Sequence, residues 1–389
     1  MSPPTIGEIR AALDANAFVF FYQPKISFLT GRITGGEALI RWRTAEGRIV
    51  PPGVFIPIAE AEGFISEITR RMFPRLLEDY RVISAETEGH VAFNVSASDL
   101  QHEGLVLAIE EALDGQLIPA DRLRLEVTEA AALSTSSAMR EWVGRLVKRG
   151  VEFAMDDFGT GYSSLDAIRQ LPFATLKVDQ GMVREMQSSE RAAMLVHANV
   201  SLAQVLGMEA VAEGIETEPI YRALMHSGCR EGQGYWMSRP LPLPDYLALV
   251  KSGRTWPASH AGLLRSVLMN HIVELRRVLD WVYSARTAQA PDDIQALQPL
   301  GDRGRIAFSG WYEGPGRALH GNRAYESMRV PNAILNETYD TIQAKAKAGA
   351  DPQELAPQLK KLSHYAVVLI GDLLRLESEL LLEEMRRES

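Results

Sequence analysis

Residues 151–165 read VEFAMDDFGTGYSSL, a short apolar run that ends in two adjacent carboxylates, Asp156 and Asp157, and then a glycine-rich turn. Adjacent side chains on a strand point to opposite faces, so neighbouring aspartates reach one site only where the strand is ending. Carboxylates at such a point suggest a metal site at the C-terminal mouth of a strand. Outward from this stretch, apolar runs of strand length recur at 18–22, 33–39, 90–94, 123–127, 151–155, 175–178, 209–212 and 234–237. Helix-like segments at 68–83, 105–113, 138–149 and 191–206 carry apolar residues near helical spacing. About eight β/α units in roughly 250 residues have the size and rhythm of a TIM-type (β/α)8 barrel, an α/β fold. A doubly wound open sheet is the competing architecture, and periodicity alone does not separate the two.

The placement of polar residues separates them better. Glu37 lies near the end of the second run and Asn94 ends the third. Glu126 and Glu129 fall around the end of the fourth, and Asp156 and Asp157 follow the fifth. Lys177 and Asp179 flank the end of the sixth, and Glu213 and Glu216 follow the seventh. In a barrel these ends converge on one face, where the active sites of such enzymes are built. One acid at a strand end is ordinarily a helix cap or a surface charge, and one lysine a rim charge; six coincidences at successive strand ends are hard to assign to chance. A ring of acids repels itself unless cations neutralise it. Hard oxygen ligands with no histidine or thiolate among them point to Mg²⁺ or Mn²⁺.

Bulk properties agree with two domains in 389 residues, 46% apolar and 23% charged. The lone Cys229 excludes an intramolecular disulfide framework and favours a reducing compartment. A formal charge of −9 argues against a nucleic-acid polymer as partner, while leaving room for an anionic substrate held by metal ions and a few arginines. No signal-peptide pattern follows Met1 and no apolar run has transmembrane length, so a cytoplasmic protein without membrane attachment is expected. The polar stretch KSGRTWPASH at 251–260 reads as a linker between a barrel at 1–250 and a second domain at 261–389. Strong helical patterns at 263–283, 332–348 and 352–385 predict an all-α, antiparallel helical bundle. Its Leu-rich segment 369–382 reads first as bundle core and second as an apolar stripe for another subunit.

Glu37-Ala38-Leu39 followed by Arg41 is one of an ordered set of motifs. The others are YQPKI at 22–26, FIPIAEAEGFI at 55–65, FNVSASDL at 93–100, EVTE at 126–129, DDFGTGYSSL at 156–165, LKVD at 176–179, AEGIET at 212–217 and QGYWMSRP at 233–240. Over residues 5–250 the chain thereby resembles the EAL domain family, which hydrolyses the bacterial second messenger cyclic di-GMP. The resemblance implies two Mg²⁺ or Mn²⁺ ions per active site, one held by Glu37, Asn94, Glu126 and Asp156, the other by Asp156, Asp157 and Glu213. It implies attack by an activated water on a phosphodiester, giving linear pGpG; Ca²⁺ is expected to inhibit, because its larger and looser coordination shell spoils a two-ion geometry. Lys177 then stands beside the attacking water and Gln233 supports water or metal, completing a catalytic set with Glu37, Asp156 and Glu213. Gln23 and Arg41 resemble phosphate contacts, Glu216 a guanine contact, and Asp179 a further residue on the substrate side. Phe158, Gly159, Gly161 and Ser163 belong to a loop that in the family couples metal binding to dimerisation, braced by Glu129; a homodimer is expected.

The second domain is more weakly similar to the CZB family, a four-helix bacterial sensor that binds zinc through three histidines and a cysteine. The similarity rests on His271, on GWYEGPG at 310–316 and on VPNAILN at 330–336. Ile306 stands near the cysteine position, and Asn332 and Asn336 at the later histidine positions. One imidazole with two amides makes a poor zinc site, so no zinc is expected there and His271 reads as a packed or capping residue. The helices are then expected to modulate activity, support dimerisation or recruit a protein partner. The alternatives to an active phosphodiesterase are a cyclic di-GMP receptor without efficient turnover and a scaffold acting through its helical domain.

Overall fold

The computed structural model describes residues 3–101, 103–159, 164–287, 307–347 and 352–388. Gly161, Ser163 and Ile306, singled out in the sequence, lie outside the described residues. Packing of the chain separates two units, residues 1–203 with 208–259 and residues 204–207 with 260–389.

In the first unit ten strands form one sheet: β1 (Phe18–Ser27), β2 (Ile33–Arg43), β3 (Ile49–Val50), β4 (His90–Val95), β5 (Leu123–Thr128), β6 (Glu152–Phe158), β7 (Thr175–Val178), β8 (Glu209–Ala212), β9 (Glu231–Gly232) and β10 (Leu241–Pro242). The order β1-β2-β4-β5-β6-β7-β8-β9 returns to β1 and closes a barrel. β2 and β4–β9 run parallel, while β1 is antiparallel to both neighbours. The open doubly wound alternative is therefore excluded.

Strand alternation decides what the barrel holds. On β5, Leu123, Leu125 and Val127 are buried in the apolar core. The intervening Arg124 and Glu126 turn to the other face, where they meet Glu231 and Lys25. Helices such as Ile65–Ile83, Glu103–Asp114, Ser137–Lys148 and Glu190–Val205 cover the strands, and their apolar stripes join the strand residues in one core. Ser136 caps Ser137–Lys148 by accepting from the Met139 N–H.

Two strand expectations are corrected. The eighth barrel strand is Glu231–Gly232 rather than 234–237, which forms a turn. There the chain folds against Ile215: Trp236 N–H donates to the Ile215 carbonyl at 3.0 Å, and a Cβ on Gly234 would lie 2.2 Å from Ile215 backbone atoms. The apolar Tyr235–Trp236–Met237 run imitates a strand because Trp236 packs its ring against Tyr221 in a tilted contact, with ring centroids 4.6 Å apart. Second, β6 does not end at Met155 but continues through both aspartates to Phe158. Its register against β7 shifts between Met155 and Phe158, and Asp157 adopts a φ of 55°. A local irregularity, not a strand end, sets the directions of the two carboxylates.

The second unit is helical, with Ala261–Thr287, Ala307–Glu313, Arg323–Ser327, Arg329–Lys347 and Ala356–Glu388. Leu362, Ala366, Leu369, Leu373 and Leu376 recur at alternating four- and three-residue steps and are buried, the seam expected of a packed helix. They meet Phe308, Trp311, Tyr325 and Met328 in a core of their own. Among the described residues no helix is long and apolar enough to cross a membrane.

Candidate active site

Lys177, on β7 and 1% exposed, sits at the centre of the acids. Its Nζ lies 2.7 Å from Glu213 Oε1, 3.0 Å from Asp156 Oδ1 and 3.8 Å from Glu37 Oε2, and it donates to Glu126 Oε2. Burial opposes a charge on Lys177, yet Asp156, Glu126, Glu213 and Glu37 together hold its ammonium well above the ordinary lysine range. Burial would likewise raise the Glu126 carboxyl, but Lys177 and Lys25 hold it well below the carboxylate range. Glu213 and Glu37 shift upward, through burial and the neighbouring carboxylates.

Two amides tie the ring together. Gln233, just after β9, donates from Nε2 to Glu37 Oε2 at 2.6 Å and to Glu213 Oε1 at 2.9 Å. Asn94, on β4, donates from Nδ2 to Glu37 Oε1 at 2.7 Å. Thus Glu37, Asn94, Glu126, Asp156, Lys177, Glu213 and Gln233, drawn from seven different β/α units, meet at the C-terminal mouth. Glu37, Asn94, Asp156, Asp157 and Glu213 line a cleft of about 720 Å³.

These residues suit hard divalent cations. Five acids, Glu37, Glu126, Asp156, Asp157 and Glu213, face two lysines, Lys25 and Lys177, a formal excess of three negative charges. The Gln233 Oε1 atom is buried without a hydrogen-bond partner, a further oxygen donor to spare. Among the described residues no three carboxylates or imidazoles already stand in a ligating arrangement. The Lys177 ammonium occupies the point on which Glu126, Asp156 and Glu213 converge.

The loop residues take defined places as far as they are described. Asp157 is exposed and its N–H donates to Asp156 Oδ1 at 2.9 Å. Partial desolvation of its carboxyl by the surrounding protein, together with Asp156, pushes it upward even though the residue keeps contact with solvent. Phe158 is in the core. Gly159 has a φ of 97°, a conformation that favours glycine, and a Cβ there would lie 3.0 Å from Met182 Sδ, so that side chain would have to give slightly. The Gly159 N–H donates to Glu129 Oε2 at 3.4 Å.

The substrate-side residues are more dispersed. Gln23 pairs across β1–β2 with Glu37 and donates to the Ser238 carbonyl at 3.2 Å. Arg41 is half-buried, donates to the Ile40 carbonyl at 2.8 Å, and has its guanidinium 5.8 Å from the Phe21 ring. Asp179 caps the helix Gln180–Glu185 through Gly181 and Met182 N–H groups. Glu216 stands 44% exposed and pairs with Arg184 at 2.9 Å, apart from the acid cluster.

Sequence reading missed Lys25. It is fully buried and donates to Glu126 Oε1 at 2.5 Å. The signal was a lysine inside the apolar segment YQPKI, which only a buried counter-charge makes tolerable.

Residues 6–240 match the EAL domain family. The chain is 36% identical over 245 residues to the bifunctional diguanylate cyclase/cyclic di-GMP phosphodiesterase MucR of Pseudomonas aeruginosa, an alignment spanning 62% of this chain and 36% of MucR. To the cyclic di-GMP phosphodiesterase RocR of the same organism it is 32% identical over 245 residues, covering 63% of this chain and 62% of RocR. The chain thus spans less than two thirds of either relative. The solved MucR phosphodiesterase complex with cyclic di-GMP is similar at a TM-score of 0.58 and 34% identity, over 62% of this chain and 98% of that one. The EAL enzyme Bd1971, bound to cAMP and cyclic di-GMP, gives a TM-score of 0.60 at 28% identity, over 63% of this chain and 67% of that one. With more than half of its length matched in sequence and the same barrel in three dimensions, the chain belongs to the EAL domain family.

Proposed function

We propose that the barrel is a metal-dependent phosphodiesterase that hydrolyses cyclic di-GMP to linear pGpG in the cytoplasm. The observation that carries this reading is the convergence of Glu37, Asn94, Glu126, Asp156, Glu213 and Gln233 around Lys177 at the C-terminal mouth. Glu37, Asn94, Glu126 and Asp156, and Asp156, Asp157 and Glu213, would hold two Mg²⁺ or Mn²⁺ ions, which supply a Lewis acid for the phosphodiester and lower the pKa of a bound water.

The chain's own residues do the rest. Gln233 and Asn94 fix the Glu37 carboxylate from its two oxygens. Lys177 carries a proton on Nζ within 3.0 Å of Asp156 and Glu213, where its charge offsets negative charge developing on the phosphoryl oxygens. Gln23 and Arg41 serve the phosphates, Asp179 lies on the substrate side, and Glu216 accepts from a guanine edge in place of Arg184. Glu129 and the loop from Phe158 link the site to a homodimer contact.

The helical unit modulates activity or oligomerisation, or recruits a protein partner, without zinc. Three of the positions at issue are otherwise engaged: Ser309 Oγ donates to Asn332 Oδ1 at 2.8 Å and accepts from Asn336 Nδ2 at 2.8 Å, and His271 Nε2 lies 3.4 Å from the Ala366 carbonyl.

A second reading, a cyclic di-GMP receptor with weak turnover, is favoured by the Lys177 ammonium standing where Glu126, Asp156 and Glu213 converge. Incubation of the purified full chain with cyclic di-GMP and Mg²⁺, Mn²⁺ or no added metal, with pGpG quantified by chromatography, decides between them. Metal-dependent pGpG supports the enzyme; nucleotide binding with no product under any metal supports the receptor.

A further inference from the structure

Glu126 is gripped from both sides, and the two grips differ. Lys177 donates to Oε2 and also reaches Asp156 and Glu213 at the mouth. Lys25 approaches from the antiparallel strand β1, is 0% exposed, and donates to Oε1 at 2.5 Å. Among the described residues, Glu126 is the carboxylate with which Lys25 forms an ion pair. The mouth therefore faces Oε2, while Oε1 is turned toward a buried donor whose ion pair, among the described residues, is with Glu126, although its charge is also felt at Glu37.

A carboxylate with one oxygen tied to a buried ammonium offers a cation a single oxygen. That restriction suits Mg²⁺ and Mn²⁺ differently from Ca²⁺. Mg²⁺ demands a near-octahedral shell, whereas Ca²⁺ takes a larger and looser one and often uses both oxygens of a carboxylate. Resting on the phosphodiesterase reading of this site, we infer that Lys25 is a positioning residue that keeps Glu126 a one-oxygen ligand and so biases the site toward small six-coordinate cations over Ca²⁺. Removing the Lys25 donor frees Oε1 and relaxes that bias. Partners in the outer shell of a metal site have effects of this kind through the ligand they orient.

The test is binding, not turnover. Mn²⁺ bound to the full chain is followed by electron paramagnetic resonance and displaced with Ca²⁺, in the absence of nucleotide, for wild type, Lys25→Met and Lys25→Arg. The ratio of Ca²⁺ to Mn²⁺ affinity is expected to rise about tenfold in Lys25→Met and to stay near wild type in Lys25→Arg, which keeps a cationic donor. An unchanged ratio in Lys25→Met overturns the inference. If Lys25→Met does not fold, a crystal structure of wild type with Mn²⁺ decides: one Glu126 oxygen on the metal with Lys25 on the other upholds it, and a bidentate Glu126 overturns it. Wild type that binds no Mn²⁺ in a manner sensitive to Glu37→Ala would instead remove the metal site itself.

Discussion

Gln233 and Glu37, 196 residues apart in sequence, are joined by a 2.6 Å hydrogen bond from Gln233 Nε2 to Glu37 Oε2. The same nitrogen donates to Glu213 Oε1 at 2.9 Å, so one amide sets the positions of two acids, one on β2 and one just after β8. Gln233→Leu removes both bonds while keeping a similar volume. Turnover is expected to fall by about 10- to 100-fold, with half-saturation shifted to higher Mg²⁺, the usual consequence of losing a group that orients a ligand. A kcat measured against Mg²⁺ concentration checks this, and an unshifted half-saturation would deny Gln233 its positioning role.

Glu37 and Asp156 test the metal site itself. Either Glu37→Ala or Asp156→Ala is expected to lose more than about 100-fold in turnover, beyond the range for groups one shell further out. Ca²⁺ supplied in place of Mg²⁺ is expected to inhibit, since its larger shell spoils the geometry these side chains set. Near-wild-type turnover by either purified variant sinks the proposed site.

Asp157 allows backbone and carboxylate to be separated. Its φ of 55° lies in the left-handed region, which costs a residue with a Cβ on the order of 1 kcal/mol. Asp157→Gly and Asp157→Ala delete the same carboxylate, so they should lose the same turnover. The alanine variant, however, should unfold at lower denaturant, by about 1 kcal/mol in stability relative to glycine. Equal unfolding midpoints for the two would show that the left-handed φ is not what the native state requires.

What the sequence discloses follows from which physical quantities have a period. The apolar run 151–155 announced β6, because burial of alternate or successive side chains is written directly into composition. The helix read at 138–149 came out as Ser137–Lys148 for the same reason. The acids at strand ends were legible once a barrel was supposed, because the fold itself brings those ends together. The continuation of β6 through Asp156 and Asp157 was not legible: a register shift and one positive φ leave no periodic trace. Nor was β9, whose two residues are too few to show alternation, beside an aromatic turn that imitates a strand. Direction is also silent, so β1 gave no sign of being antiparallel. Lys25 was passed over because a lone lysine in an apolar segment declares neither its burial nor its partner until Glu126, 101 residues away, is placed beside it.

His90, at the N-terminal end of β4, gives a prediction about stability at the mouth opposite the acids. Burial pushes its imidazole down to about 3, with Glu231 and Glu126 opposing the shift and Arg124 and Lys25 adding to it. In the unfolded chain a histidine titrates near 6.5. Between those values the unfolded state binds a proton that the folded state refuses, so stability rises with pH across this window and is lost as pH falls from about 6.5 toward 3. His90→Gln removes that proton from the balance. Wild type is therefore expected to lose up to about 1.4 kcal/mol more per pH unit than the variant as the pH is lowered through the middle of the window. Urea midpoints measured from about pH 7 down to about pH 4 report this as a difference in slope, which is independent of any packing change that shifts the variant's stability by a constant amount. Parallel slopes would mean that His90 takes up its proton in the folded barrel, with Glu231 Oε2, 3.9 Å from Nε2, as the acceptor that permits it.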